Sequence, residues 1–99
     1  KIKFEEVIFV ESTQNYIQIH TIEGKHMTYL TMKEIEVHLP TQLFVRIHRS
    51  FIVNIDYVKE IERNRLKLEN GCHLVMGDYY KQRFLDMMDE RLVKTSRSL

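Results

Sequence analysis

The sequence predicts an α+β domain, mostly β with short helices, and three observations carry that prediction. Apolar and β-branched residues come in short runs separated by polar turn formers, as in residues 7–10, 16–21 and 44–48. Glycine-bearing turns at Glu23-Gly24 and Asn70-Gly71 stand between runs able to pair as hairpins. Two segments, after Thr31 and after Asp78, instead place apolar residues at helical spacing.

Taken in order, residues 1–4 alternate polar and apolar, and residues 7–10 form the continuous apolar run of a buried strand. Glu11-Ser12-Thr13-Gln14-Asn15 interrupts that strand with turn formers. Residues 16–21 resume a β-branched and aromatic pattern, and Glu23-Gly24 turns the chain so that residues 26–29 pair back. Thr31 followed by Glu34 fits an N-cap with its capping-box acid, and Met32, Ile35, Val37 and Leu39 make a short helix that Pro40 ends. Residues 44–48 alternate again, whereas Ser50-Phe51-Ile52-Val53-Asn54 fits a strand or a helical turn equally well. Residues 57–62 and 66–69 read as strands joined across Arg63-Asn64-Arg65, and Asn70-Gly71 leads into residues 73–76, a meander that closes the sheet. Asp78 is placed to cap a C-terminal helix through Phe84, Leu85, Met88 and Leu92, with Thr95-Ser96-Arg97-Ser98 as a fraying tail.

Size and composition narrow the function classes. Ninety-nine residues with 43% hydrophobic content support one core, so residues 1–99 read as a single domain. Fifteen Lys and Arg stand against 14 Asp and Glu, and a net charge of +1 gives no global argument for a polyanionic partner. Cys72 is the only cysteine, which excludes an internal disulfide framework and a multi-thiolate metal site and fits a reducing cytoplasm. No apolar stretch approaches the roughly 20 residues of a membrane helix, and the start at Lys1 lacks a signal-peptide pattern. A chain opening without Met, directly in β-like sequence, reads as the C-terminal part of a longer protein.

The chemistry-bearing motifs are sparse. Gly24, Gly71 and Gly77 lie too far apart for a phosphate-binding loop, and neither an H-E-x-x-H pattern nor a nucleophile elbow occurs, so no catalytic residue and no cofactor is expected. His20, His26, His38, His48 and His73 are scattered, and His20 with His26 across the first hairpin lacks a third ligand, so no metal site is expected either. Glu5-Glu6 and Asp86 with Asp89-Glu90 read as exposed turn and helix acids. One segment stands out: Phe44-Val45-Arg46-Ile47-His48-Arg49-Ser50-Phe51-Ile52-Val53-Asn54. Alternation sends Arg46 and His48 to one side, with Arg49 and Ser50 following at the strand end. Such a donor cluster suits phosphate oxygens and offers a guanidinium fork to a guanine edge. From the motif alone, a solvated strand with an Arg paired to Glu34 or Glu36 weighs equally.

A family resemblance separates those two readings. Val10-Glu11-Ser12 with Asn15-Tyr16-Ile17, Thr31-Met32-Lys33-Glu34-Ile35, the segment from Phe44 to Asn54, and Val75-Met76-Gly77 leading to Tyr80-Lys81 resemble successive blocks of the LytTR DNA-binding domain of LytR/AlgR-like bacterial transcription regulators. The resemblance covers nearly the whole chain and implies an elongated arrangement of antiparallel β-sheets with a C-terminal helix. It implies sequence-specific binding of double-stranded DNA by loops inserted into successive major grooves, a departure from recognition-helix modes. It also implies paired or repeated promoter sites, self-association on DNA, and an upstream receiver or sensor domain.

Carried onto this sequence, the resemblance marks Asn15, Tyr16, Arg46, His48, Arg49, Ser50, Asp78, Tyr79 and Lys81 as DNA-contacting positions. Asn15 suits an adenine edge, Arg49 takes a base-facing position and Ser50 a phosphate. In the third region the family often carries Ser or Gly followed by Arg, and here Gly77 is followed by Asp78. Asp78 could accept from a cytosine amino group but is repelled by phosphate, so helix capping is its expected role, with Tyr79 or Lys81 taking over the contact. The alternative is a protein-interaction module, which exposed Tyr, Phe and Met and a near-neutral charge would suit.

Overall fold

The structure is a computed structural model that describes the backbone of residues 1–98 and the side chains of residues 1–90. Among the described residues, eight strands and two α-helices follow in chain order: β1 (Val7–Ser12), β2 (Ile17–Thr21), β3 (Gly24–Thr28), α1 (Met32–His38), β4 (Phe44–His48), β5 (Phe51–Asn54), β6 (Val58–Glu62), β7 (Arg65–Leu68), β8 (His73–Val75) and α2 (Asp78–Ser98). They form a five-stranded sheet ordered β3-β2-β1-β5-β4 and a three-stranded sheet ordered β6-β7-β8, antiparallel throughout. The principal extents of 42 × 30 × 26 Å make the molecule longer than it is wide, as the resemblance implied.

The unbroken apolar run in β1 has a physical cause. Ile8 and Phe9 enter one core with Val45, Ile47, Val53, Leu66, Leu68, Leu74 and Phe84, whereas Val7 and Val10 enter a second with Ile17, Met32, Leu39, Phe44 and Ile52. The large sheet is therefore covered on both faces, by the small sheet and α2 on one and by α1 on the other, so its central strand cannot alternate with polar residues. Asn54 is fully buried at the end of β5; its side-chain amide donates to the Val7 carbonyl at 2.8 Å and accepts from the Asp56 N–H at 2.9 Å. Those two bonds tie β5 to the start of β1 and satisfy a polar group that burial would otherwise penalise.

Helix α1 starts as its sequence dictates. The Glu34 N–H donates to the Thr31 hydroxyl at 3.0 Å, and the Thr31 N–H donates to Glu34 Oε1 at 2.8 Å, a complete capping box. The Thr31 N–H and hydroxyl hold the Glu34 carboxyl below the usual range.

Several expectations are corrected. Residues 1–4 form no strand; Phe4–Glu6 is a single 3₁₀ turn, closed by the Glu6 N–H on the Lys3 carbonyl. Glu11 and Ser12 extend β1 rather than interrupting it, and the segment that fits strand or turn equally is β5 up to Asn54, followed by a 3₁₀ turn at Ile55–Tyr57. The meander β6-β7-β8 builds its own sheet instead of closing the first. The helix continues through Ser98, past the tail expected to fray from Thr95, and the Leu92 side chain lies outside the described residues.

Candidate nucleic-acid interface

Three connections line up at one side of the large sheet. The β4–β5 connection is only two residues long, Arg49 and Ser50, and Arg46 holds it from below. The Arg46 Nε donates to the His48 carbonyl at 2.9 Å, Nη2 to the Arg49 carbonyl, and Nη1 to Glu36 Oε1 at 2.9 Å. The guanidinium also lies 5.8 Å from the centre of the Tyr80 ring. A β-bulge between Arg46 and His48 shifts the register of β4 against β5 just before the turn. His48 Nδ1 accepts from the Ser50 N–H at 3.0 Å, so in the neutral ring the proton sits on Nε2, which is left as a donor. Its ring leans on Phe51, with centroids 5.3 Å apart.

Arg46 is expected among the DNA contacts, and its geometry is that of a brace: the pairing with Glu36 that weighed against the donor cluster is present. Arg49 differs. Its side chain is exposed and engages no partner among the described residues. The Ser50 hydroxyl is likewise unengaged.

The β1–β2 connection is closed by Thr13, whose N–H and hydroxyl both donate to the Tyr16 carbonyl, at 2.9 and 3.2 Å. Asn15 is thereby held out in solvent, while the half-buried Tyr16 ring meets Tyr29 edge to face at 6.1 Å. The Ser12 N–H donates to the Ser50 carbonyl at 2.9 Å, fastening this loop to the β4–β5 turn. Asn15, Tyr16, Tyr29, Thr31, Glu34 and Arg49 line one open groove of about 480 Å³, so the Asn15 amide and the Arg49 guanidinium border the same space.

The third connection joins β8 to α2. The Gly77 N–H donates to the Ile47 carbonyl at 2.8 Å, which binds this junction to β4 just behind the β4–β5 turn. A Cβ on Gly77 would lie 3.7 Å from the His48 ring and 3.4 Å from Tyr80, ordinary van der Waals contact, so the junction packs directly against both rings. The expected capping by Asp78 is corrected here. The Tyr80 N–H donates to the Gly77 carbonyl at 3.0 Å and α2 begins at Asp78, so Gly77 holds the position before the helix. The Asp78 carboxylate is exposed and accepts no hydrogen bond among the described residues, leaving only a favourable interaction with the helix dipole. Tyr79 is 89% exposed, with its ring edge-on to Tyr80 at 5.0 Å. Lys81 turns away toward the β6–β7 turn, where its Nζ donates to Asn64 Oδ1 at 2.9 Å.

Asn15, Tyr16, His48, Arg49, Ser50, Asp78 and Tyr79 thus fall on three stitched connections, with Arg46 beneath them and Lys81 beside them. The residues that sequence reasoning missed are the supports: Tyr80 under Arg46, and Tyr29 against Tyr16. No local pattern could have found them, because β4 meets the β8–α2 junction only through tertiary pairing. His20 stacks on Phe9 at 3.9 Å and meets Glu11 at 3.0 Å, and since His20 pairs with Lys25 while Ile19 pairs with His26, the two imidazoles occupy opposite faces. Among the described residues no three His, Cys, Asp or Glu cluster as a metal site, and no helix is long and apolar enough to cross a membrane.

Comparison with known proteins identifies this arrangement. The family model of the LytTr DNA-binding domain matches residues 1–89. The chain is 33% identical over 58 residues to the sensory transduction protein LytT of Bacillus subtilis, covering 59% of this chain and 24% of that protein. It is 42% identical over 55 residues to the transcriptional regulatory protein NatR of Bacillus subtilis, covering 56% and 24% respectively. It therefore spans about a quarter of the length of these relatives. A solved LytTr DNA-binding domain from Bacillus cereus superposes with a TM-score of 0.81 at 26% identity, covering 88% of this chain and 84% of that one. The two-sheet fold, its stitched connections and a family match over residues 1–89 lead to one conclusion: the chain belongs to the LytTr DNA-binding domain family.

Proposed function

We propose that the chain is the DNA-reading part of a longer transcription regulator acting in the cytoplasm, with an upstream receiver or sensor domain controlling it. Asn15 and Arg49 read base edges from neighbouring loops, and Ser50, Tyr79 and the His48 Nε2–H contact phosphate or sugar oxygens. The observation that carries this reading is the pairing of an exposed, unengaged Arg49 with an internally braced Arg46. A solvated strand end needs no such support, whereas a guanidinium that reads a base must project from a fixed backbone. One copy presents a small interface, so useful affinity comes from two copies on paired or repeated promoter sites, associating on the DNA.

Arg49→Ala tests the reading on an operator selected from a randomised duplex pool. The expected loss is about 1–3 kcal/mol of specific binding, with preference relaxed at one base position. Equal losses on selected and random DNA would demote Arg49 to a phosphate contact.

Asp78 offers a second test. With no hydrogen bond to lose, its carboxylate contributes to α2 only through the helix dipole, about 0.3–1 kcal/mol, while repelling phosphates. Asp78→Asn should tighten binding to DNA of any sequence and lower the melting temperature by only a few degrees, the loss of the dipole interaction. Weaker binding confined to the selected operator would instead make Asp78 a reader of a cytosine amino group.

A further inference from the structure

The β6–β7 turn is built unlike the other hairpin turns. Arg63, between β6 and β7, has φ 57°, the left-handed conformation that Gly and Asn adopt at least cost, yet a long cationic side chain occupies it. A residue held in a sparsely populated conformation points to a role for its side chain. Arg65 starts β7 opposite Glu62, but neither Arg63 nor Arg65 lies within ion-pair distance of a carboxylate among the described residues, and both are exposed. The two guanidiniums flank an open hollow of about 440 Å³ that they line with Glu62, Asn64 and Val75.

The backbone fixes where that hollow sits. The Asn64 carbonyl accepts from the Met76 N–H at 2.7 Å, and the Asn64 side chain accepts from Lys81 Nζ at 2.9 Å. The next residue, Gly77, is bonded to Ile47 behind the β4–β5 turn, and Ser50 in that turn is bonded to Ser12 at the edge of the β1–β2 loop. One backbone bond at each step thus links four connections in a row: β1–β2, β4–β5, β8–α2 and β6–β7. The last carries two unpaired guanidiniums and borders a third cation, Lys81, that has two N–H donors left.

We propose that the β6–β7 turn is a fourth DNA contact, in which Arg63 and Arg65 grip the phosphodiester backbone flanking the groove entered by the β8–α2 junction. This rests on the DNA-binding reading and extends it. Glu62 lines the same hollow and opposes an anion there, but two guanidiniums with Lys81 beside them leave a net positive charge facing the backbone. Lys81, anchored to Asn64, fixes the turn against α2 while keeping its charge at the site. The contact is indifferent to base sequence, because phosphate geometry is the same at every step. It also offsets the repulsion of phosphate by Asp78 at the third connection.

The test measures binding of the chain to a mixed-sequence duplex of about three helical turns, by fluorescence anisotropy across a range of salt concentrations. The double variant Arg63→Asn, Arg65→Gln removes both charges, and asparagine accepts the left-handed turn, so thermal melting should match the parent. Its log–log salt slope should be shallower by about 1.8 units, since each phosphate that the turn no longer neutralises accounts for about 0.9. Arg65→Gln alone, which leaves the turn residue untouched, should flatten the slope by about half as much. The ranking of sequences in a selected pool should stay as in the parent. If the parent binds with a steep slope and the double variant matches it in slope and affinity, the turn does not touch DNA and the proposal fails. If the parent itself shows no salt-dependent binding, the DNA reading fails first, and the fourth contact with it.

Discussion

Phe84→Ala should remove about 3–5 kcal/mol of folding stability, much of the margin of a small domain. Phe84 is fully buried and belongs to the core that β4, β7 and β8 share through Ile47, Leu66, Leu68 and Leu74, with Met76 just after β8. It is the fully buried anchor of α2 among the described residues, while Leu85, Met87 and Met88 are half-buried around it. Truncation leaves a cavity between the two sheets that neither can close without breaking its own pairing, so the cost belongs at the upper part of the range. The functional consequence follows from the same packing. Helix α2 positions Tyr80 under Arg46, so a loosened α2 releases the support of the β4–β5 turn as well. Urea unfolding of Phe84→Ala should show a lower midpoint with an unchanged m-value. A loss under about 1 kcal/mol, as for a surface substitution, would mean that α2 is peripheral to the fold.

The second large effect is expected at Arg46. Arg46→Ala leaves the His48 and Arg49 carbonyls and Glu36 without their donor. Hydrogen bonds to charged groups contribute about 1.5–3 kcal/mol, but the side chains of the ion pair are 17% and 41% exposed, so solvent screening discounts the Coulomb part. A net destabilisation of about 1.5–3 kcal/mol is expected, and specific DNA binding should fall further than stability alone explains. Arg46→Lys separates bracing from simple charge. Lysine keeps a positive charge but has no planar fork to reach two carbonyls and a carboxylate together. A brace therefore predicts that Arg46→Lys loses specific binding nearly as much as Arg46→Ala. Recovery by lysine would make Arg46 a phosphate contact after all.

What the sequence made legible is what local physics controls. The Thr31–Glu34 capping box needs only residues three apart, and both of its bonds are present. The apolar run in residues 7–10 demanded burial on both faces, and β1 has it. Residues 50–54 could not be assigned from their own pattern because β-branched and aromatic residues suit several conformations; pairing of β5 with both β1 and β4 decided the outcome. The split into two sheets was illegible for the same reason, since strand neighbours are a tertiary choice. At the site, residue types pointed to the β4–β5 turn, but whether Arg46 in β4 or Arg49 in the turn points outward depended on Glu36, ten residues upstream of Arg46 and on α1. The start of α2 differs from the expected one by a single position, a shift that turns Asp78 from a cap into a first-turn acid.

The central claim is that the β1–β2, β4–β5 and β8–α2 connections together face DNA. Amide chemical-shift mapping of the isotope-labelled chain, titrated with a selected operator duplex, tests it most directly. The largest perturbations are expected at residues 13–16, 48–50 and 77–81, with small changes along β3 at the far edge of the large sheet. Perturbations centred on β3, with Asn15, Arg49 and Tyr79 unmoved, would contradict the claim and place the DNA on a different face of the molecule.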